Sequence, residues 1–400
     1  MVGASRAGLF AVEAARRAGH RGRITLVGAE PHLPYDRPPL SKEYLTCWPA
    51  EPSDPTYRAA AALAGEFDVD VRLGAPADGL DLAARTVSVG AQRIPFDALV
   101  IATGATPRPM PAADGLAGVR TLRTLDDARA IRETWRGECG RTVVVGAGFV
   151  GLETAAAARE RGAPVTVVEA LPVPLVRAAG EVCGQACARL HDLQGTDLRT
   201  GVTIASVEGR GRVERVGLSD GSTLDTALLV VGIGVDPATG WLEGSGLALD
   251  DGVVCDETLA ASAPGVYAAG DVARWHNPTF GIDMRLEHWT SAAEQGRIAA
   301  QNAVSPGTAT AYATVPYFWS DQYGCRIQFV GVTAADEVSV LVDNLPERSY
   351  LAVYRTGTRL TGAFGINETR RIPRLRKMIG QGASVADALE AIGAAAVRAG

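Results

Sequence analysis

The chain has 400 residues, 47% of them apolar, with 39 basic and 45 acidic side chains and a net charge of −6. That length implies two or three domains with full cores, and the charge gives no global attraction to nucleic acid or anionic lipid. No apolar run approaches the ~18–20 residues of a membrane span, and no basic segment followed by an apolar stretch opens the chain as a secretory signal would. The six cysteines, Cys47, Cys139, Cys183, Cys187, Cys255 and Cys325, include no C-x-x-C. Cys183 and Cys187 have the spacing of buried helix neighbours rather than of a redox pair. A cytoplasmic protein is expected, with no nucleic-acid or membrane partner and no metal site.

The chain opens with Val2-Gly3-Ala-Ser5-Arg-Ala7-Gly8-Leu9, followed by Gly19 and the strand-like run Ile24-Thr-Leu-Val27. Its meaning comes from a fuller copy further on. There Thr142–Val145 reads as a buried strand running into Gly146-x-Gly148-x-x-Gly151, and 152–161 reads as an Ala-rich helix. Gly162 and the strand 164–168 follow, ending in Glu169. The glycines give a tight turn, backbone approach to a pyrophosphate and close helix–strand packing. The phosphates would sit at the helix N-terminus, where unpaired N–H groups favour an anion. An acid about 20 residues on can accept both ribose hydroxyls. Strand, glycines, helix, second strand and acid in register predict a dinucleotide site. In the first copy Ala29 is no acid, so Glu30 is the candidate ribose ligand. Two such units predict two dinucleotides, a bound flavin and a diffusing nicotinamide. Only Met1 and Val2 precede Gly3, so the first strand is expected to be truncated or the chain to start upstream.

The run Glu30-Pro-His-Leu-Pro-Tyr-Asp-Arg-Pro-Pro-Leu-Ser-Lys42 is too rich in proline for helix or strand pairing, and predicts a stiff loop leading to a helix near Leu40. Short strands are expected over 67–86. A buried strand, 96–104, ends in the small-residue turn Ala102-Thr103-Gly104, of a kind that lets backbone pass close to a cofactor. A helix over 122–136 opens the second fold, which runs to Leu228-Leu-Val-Val-Gly232-Ile-Gly234. Gly265-Val-Tyr-Ala-Ala-Gly270-Asp271 presents a carboxylate beside glycine, and Met284-Arg-Leu-Glu287-His-Trp289 leads into a helix. From about Thr314 the chain turns aromatic and then β-alternating to Asn367. The basic segment Arg370, Arg371, Arg374, Arg376 and Lys377 then precedes a last helix from about Val385.

Together, Gly3-x-Ser5-x-Ala7-Gly8, Arg37-Pro-Pro-Leu-Ser-Lys42, Ala102-Thr103-Gly104, the second glycine motif with Glu153, Ala269-Gly270-Asp271, Glu287-x-Trp289 and Phe318-Trp319-Ser-Asp321 resemble, in order and over nearly the whole length, the flavin-dependent NADH:ferredoxin reductases of the putidaredoxin reductase and ring-hydroxylating-dioxygenase type. The resemblance implies an α/β fold of two Rossmann-type domains plus a C-terminal α+β interface domain. Its boundaries would be 1–113 and 236–312 for FAD, 114–235 for NADH and 313–400 for the interface. It implies that Gly3, Ser5, Ala7 and Gly8 cradle the FAD pyrophosphate, Glu30 its ribose, and that Thr103, Gly104 and Asp271 pass near the cofactor. Arg37, Ala77, Ala102, Gly270, Glu287 and Trp289 are further cofactor-binding positions, as are Gly146, Gly148, Val150, Gly151, Glu169, Arg177, Gly232 and Gly234. Lys42 would stand near the reacting flavin with Glu153 as its buried partner, and Trp319 would lie against the flavin. The function implied is hydride transfer from NADH to FAD, then single electrons to an iron–sulfur ferredoxin serving a P450 or Rieske-type oxygenase. Two alternatives share the scaffold. One is disulfide, peroxide or small-molecule reduction, which needs an activated thiol; the other is a redox-sensing flavoprotein like apoptosis-inducing factor.

Overall fold

A computed structural model describes residues 1–136 and 140–393; Cys139 and the tail of the 313–400 segment lie outside them. The chain forms two compact units. The first comprises Met1–Asp36, Asp54–Thr106 and Asp236–Pro316, the second Arg37–Ser53, Pro107–Val235 and the chain from Tyr317 onward.

In the first unit the strand Ile24–Val27 pairs in parallel with Val69–Arg72, and Leu99–Ile101 with Val266–Ala268. Val2 bridges the two pairs, parallel to both Val27 and Ile101. Main-chain bonds run on both sides: Val2 N–H donates to Val100 O at 3.0 Å, and Gly3 N–H to Val27 O at 2.8 Å. Short as it is, the segment before Gly3 fills the middle of the sheet. Helices Arg6–Arg17 and Trp289–Val304 meet closely: a Cβ on Gly296 would lie 2.3 Å from Ala7 O. Only glycine permits that approach.

The second unit repeats the plan with a full central strand. Its parallel sheet runs Asp197–Thr200, Val165–Glu169, Thr142–Val145, Leu228–Val231, Val119–Arg120. Four consecutive residues, Thr142 to Val145, are buried, as expected for a strand covered on both faces. The following helix, Phe149–Glu160, starts three residues before the expected 152, because the turn closes at Gly148 rather than after Gly151. Helix Leu125–Thr134 begins later than the expected 122, since Thr124 caps it and Asp127 completes the capping box. The proline-rich run gives only a short 3₁₀ turn, Pro38–Ser41, and one helical turn, Glu43–Thr46. Buried Arg132 holds this segment by donating to Tyr44 O at 2.8 Å and Cys47 O at 2.9 Å.

From Tyr317 the chain builds a five-stranded antiparallel sheet in the order Tyr317–Gln322, Cys325–Gly331, Arg359–Ile366, Ser349–Thr356, Glu337–Asn344. The basic segment does not merely precede a helix: Arg371–Gly380 is itself helical, because Ile372, Leu375 and Ile379 share a buried face. The helix Val176–Leu193 is broken at Gly180 (φ 70°). Buried Tyr354 donates its hydroxyl to the freed Ala179 carbonyl and lies 2.8 Å from Cys183 Sγ. Tyr354→Phe leaves that carbonyl unsatisfied and should cost about 1–3 kcal/mol. Urea unfolding checks this; an unchanged midpoint would remove Tyr354 from the account of the break.

Candidate functional site

In the first unit the glycine loop is closed by sterics. A Cβ on Gly3 (φ +117°) would fall 2.0 Å from Ala102 O, and one on Gly8 1.9 Å from Gly3 O. Ser5 is the N-cap residue of Arg6–Arg17 but makes no side-chain cap bond, and the first turn carries no acid. The helix end is thus bare and electropositive. Gly270 (φ +79°) donates to Gln295 Oε1 at 2.8 Å; Gln295 is buried, and its Nε2 has no acceptor. A buried donor left open beside these loops fits a polar ligand group better than an apolar one.

The other positions singled out in this unit vary in how committed they are. Tyr35 donates to Glu30 Oε2 at 2.5 Å. Thr103 Oγ1 donates to Ala238 O at 2.9 Å, and Gly104 (φ +71°) accepts from Ala238 N–H. Ala77 packs against the core, half-buried. Asp271 is half-buried, its carbonyl accepting from Arg285 at 3.1 Å, while Glu287 Oε1 accepts from the same guanidinium at 2.9 Å. Trp289 donates its indole N–H to Asp36 Oδ1 at 2.6 Å, and Tyr57 donates to the same oxygen. Arg6 lies 3.1 Å from the Trp289 ring centroid and donates to Tyr57 Oη at 2.8 Å. This Arg6–Tyr57–Asp36–Trp289 cluster was not legible beforehand, because Tyr57 and Asp36 sit in loop sequence with no period.

In the second unit the loop repeats the device. A Cβ on Gly146 (φ +95°) would fall 2.2 Å from Gly232 O, and one on Gly151 2.0 Å from Gly146 O. At Gly148 a Cβ would meet nothing within 4 Å, so the middle glycine faces open space, as backbone approach to a pyrophosphate requires. Gly148 also ends the helix without a side-chain cap. Glu169 is already engaged: Oε2 accepts from Ala147 N–H at 2.6 Å and Oε1 from Leu171 N–H at 2.9 Å. Gly234 accepts from Arg108 N–H at 3.0 Å. Val150 and Arg177 are exposed.

The second unit also holds the expected lysine–glutamate pair. Lys42 Nζ is 2.8 Å from Glu153 Oε2, with the carboxylate side chain 4% exposed and the lysine 14%. Ser41 donates to the same oxygen, and Ser320 Oγ donates to Oε1 at 2.6 Å. Both serines belong to motifs already singled out, Pro-Leu-Ser-Lys and Phe-Trp-Ser-Asp, but a serine alone carries no periodic signal. Phe149 and Phe318 seal the neighbourhood at 4.3 Å between centroids. Arg37 donates to Arg123 O, and Trp319 stacks on Tyr317 at 6.0 Å. Cys183 and Cys187 are buried; desolvation pushes the Cys183 thiol up to about 12 and Cys187 upward as well. Neither is a nucleophile at neutral pH.

Two dinucleotide-type glycine loops and a buried lysine–glutamate pair define a pyridine-nucleotide-linked reductase scaffold. A family model described as pyridine nucleotide-disulphide oxidoreductase matches residues 1–296, and one described as reductase C-terminal matches residues 317–398. The chain belongs to the pyridine nucleotide-disulphide oxidoreductase family. It is 36% identical over 387 residues to rhodocoxin reductase of Rhodococcus erythropolis, covering 95% of this chain and 88% of that one. It is 34% identical over 392 residues to the ferredoxin–NAD(+) reductase component of the anthranilate 1,2-dioxygenase system of Burkholderia cepacia, covering 96% and 94%. The reductase chain in the crystal structure of the covalent putidaredoxin reductase–putidaredoxin complex matches with a TM-score of 0.90 at 30% identity, covering 95% and 92%.

Proposed function

We propose that this protein is an FAD-dependent NADH:ferredoxin reductase that feeds an oxygenase system. The observation that carries the reading is the pairing of two bare glycine-loop helix ends in one chain with no cysteine pair placed for thiol chemistry among the described residues. The relative named as a ferredoxin–NAD(+) reductase component, similar over 94% of its length, supports it. Bound FAD supplies the step from a two-electron hydride donor to one-electron release. The Gly3–Gly8 loop, with Ser5, would hold its pyrophosphate, and Glu30 its ribose. The Gly146–Gly151 loop would hold the NADH pyrophosphate and Glu169 the ribose diol. Lys42 would favour negative charge where the hydride is accepted, as a preorganised cation does. Among the described residues no helix is long and apolar enough to cross a membrane; the assignment to the cytoplasm rests on the pool of NADH there. The test is anaerobic bleaching of the flavin by NADH, with cytochrome c reduced only once a ferredoxin is added. Reduction of cytochrome c that ignores ferredoxin would overturn the reading.

NADH should be preferred over NADPH, since Glu169 repels a 2′-phosphate and Ala170-Leu171-Pro172 offers no cation to receive one. Glu169→Ala with Ala170→Arg should narrow the preference in kcat/KM; equal wild-type values for the two coenzymes would contradict it. Lys42→Ala should bind FAD yet be reduced more slowly, by about 1–4 kcal/mol in the barrier. Stopped-flow reduction at the wild-type rate would leave Lys42 with no part in hydride acceptance.

For the ferredoxin we propose docking on helix Arg371–Gly380. Ile372, Leu375 and Ile379 bury one face, leaving Arg370, Arg374 and Lys377 exposed. Arg371 is committed to Glu368 at 3.1 Å, and Arg376 lies 5.5 Å over the Tyr317 ring that stacks on Trp319. Complementary charge mainly raises association rate and fades with salt. Arg374→Glu with Lys377→Glu should raise KM for an acidic ferredoxin several-fold at low salt and leave NADH reduction of the flavin untouched. The effect should shrink near 0.5 M salt, where the Debye length is about 4 Å. Wild-type turnover by the double variant at low ionic strength would place docking elsewhere.

A further inference from the structure

Beyond Glu153, a line of buried polar side chains continues through the second unit. Ser320 Oγ is 2.6 Å from Glu153 Oε1, and Gln322 Nε2 is 2.9 Å from Ser320 Oγ. His191 Nε2 is 2.8 Å from Gln322 Oε1, Tyr323 Oη is 3.2 Å from His191 Nδ1, and Thr196 Oγ1 is 2.5 Å from Tyr323 Oη. All five are buried, Ser320 and His191 completely. No feature of the sequence joins them: they come from the end of a helix, the residue before a strand, and a strand with its turn.

The chemistry of each group fixes the direction of every bond. A carboxylate paired with an ammonium can only accept, so the Ser320 proton is committed to Glu153. Ser320 Oγ must then accept, which turns the amide NH₂ of Gln322 toward it and its Oε1 toward His191. His191 Nε2 therefore carries the proton and Nδ1 is bare, so Tyr323 donates to it and Thr196 donates to Tyr323. Burial keeps this imidazole neutral, lowering its pKa to about 4. Every donor in the line points toward Glu153. The Gln322 amide has no proton to hand on, so the line orients the carboxylate and does not conduct protons.

We propose that His191 is a positioning residue for hydride acceptance: its Nε2–H anchors the far end of the His191–Gln322–Ser320 ladder that holds Glu153 Oε1 and so presents Oε2 to Lys42. The inference rests on the reading of Lys42 given above. Without the His191 donor, Gln322 Oε1 is left buried and unsatisfied, so the amide loses one of the two bonds that fix it and holds Ser320 Oγ less firmly on Glu153.

The test uses holoenzyme. In ¹⁵N-histidine-labelled protein at pH 7, the resonances that vanish in His191→Gln should show Nε2 protonated and Nδ1 bare. In anaerobic stopped-flow, His191→Leu should slow flavin reduction by NADH about tenfold, the lower end of what outer supports of a reactive group supply. His191→Gln, which keeps an N–H toward Gln322, should restore most of that rate. Ser320→Ala should slow reduction similarly, and adding His191→Leu to it should cause no further loss. A proton on Nδ1 overturns the proposal, as do independent losses in the double variant or a His191→Gln as slow as His191→Leu. Where His191→Leu fails to load flavin, the tautomer spectrum and the His191→Gln rate decide. An unimpaired Lys42→Ala overturns the Lys42 reading itself, while the spectrum still decides the ladder.

Discussion

A carboxylate out of water must be met by charge and by hydrogen bonds, and Glu153 is the carboxylate on which the second unit turns. Its partners come from two segments far from its own helix in sequence: Ser41 and Lys42 from the proline-rich loop, and Ser320 from the antiparallel sheet. Removing one partner of a buried ion pair typically costs about 3–5 kcal/mol, whereas an apolar replacement of the whole pair is often neutral. Such a pair is therefore poor evidence of a device for stability. Its retention beside a dinucleotide loop makes sense if the charge is used in the reaction, and the surrounding hydroxyls make sense if its direction matters.

The two glycine loops show how one solution is used twice with different finishing. In both, the first and last glycines are forced by main-chain oxygens about 2 Å from where a Cβ would sit, Ala102 and Gly3 in one loop, Gly232 and Gly146 in the other. The middle position differs: Ser5 stands there in the first loop, its hydroxyl making no cap bond, while Gly148 leaves the second facing open space. The acid differs as well. Glu169 closes its strand and braces the loop through Ala147 N–H, whereas Glu30 lies past its strand and is held by Tyr35. A loop that retains its ligand and one that exchanges it with solvent have reason to diverge in this way.

Much of this was legible in residue order. Period, glycine spacing and the buried run Thr142–Val145 are local properties, and local patterns survive folding unchanged. The strand Ile24–Val27 was readable for the same reason, whereas the Lys42–Glu153 pair was expected only through the family resemblance that the motifs around each partner carry. What escaped is what depends on three-dimensional closure. The basic stretch at Arg370–Lys377 reads as a charge run, and only the burial of Ile372, Leu375 and Ile379 turns it into a helix with a charged outer face. Asp36, Tyr57, His191 and Gln322 carry no period and no motif of their own. Their significance is a matter of which side chains converge, and convergence is a property of the fold.

The central claim is that one hydride from NADH leaves as two separate electrons. Its most direct measurement is the stoichiometry of anaerobic reoxidation. Holoenzyme is reduced with one equivalent of NADH, then mixed with increasing amounts of an oxidised [2Fe–2S] ferredoxin while flavin and cluster spectra are followed together. The account predicts full return of oxidised flavin with two ferredoxins reduced per flavin. A flavin that stays reduced in the presence of excess ferredoxin, or that is reoxidised instead by a disulfide, would contradict it.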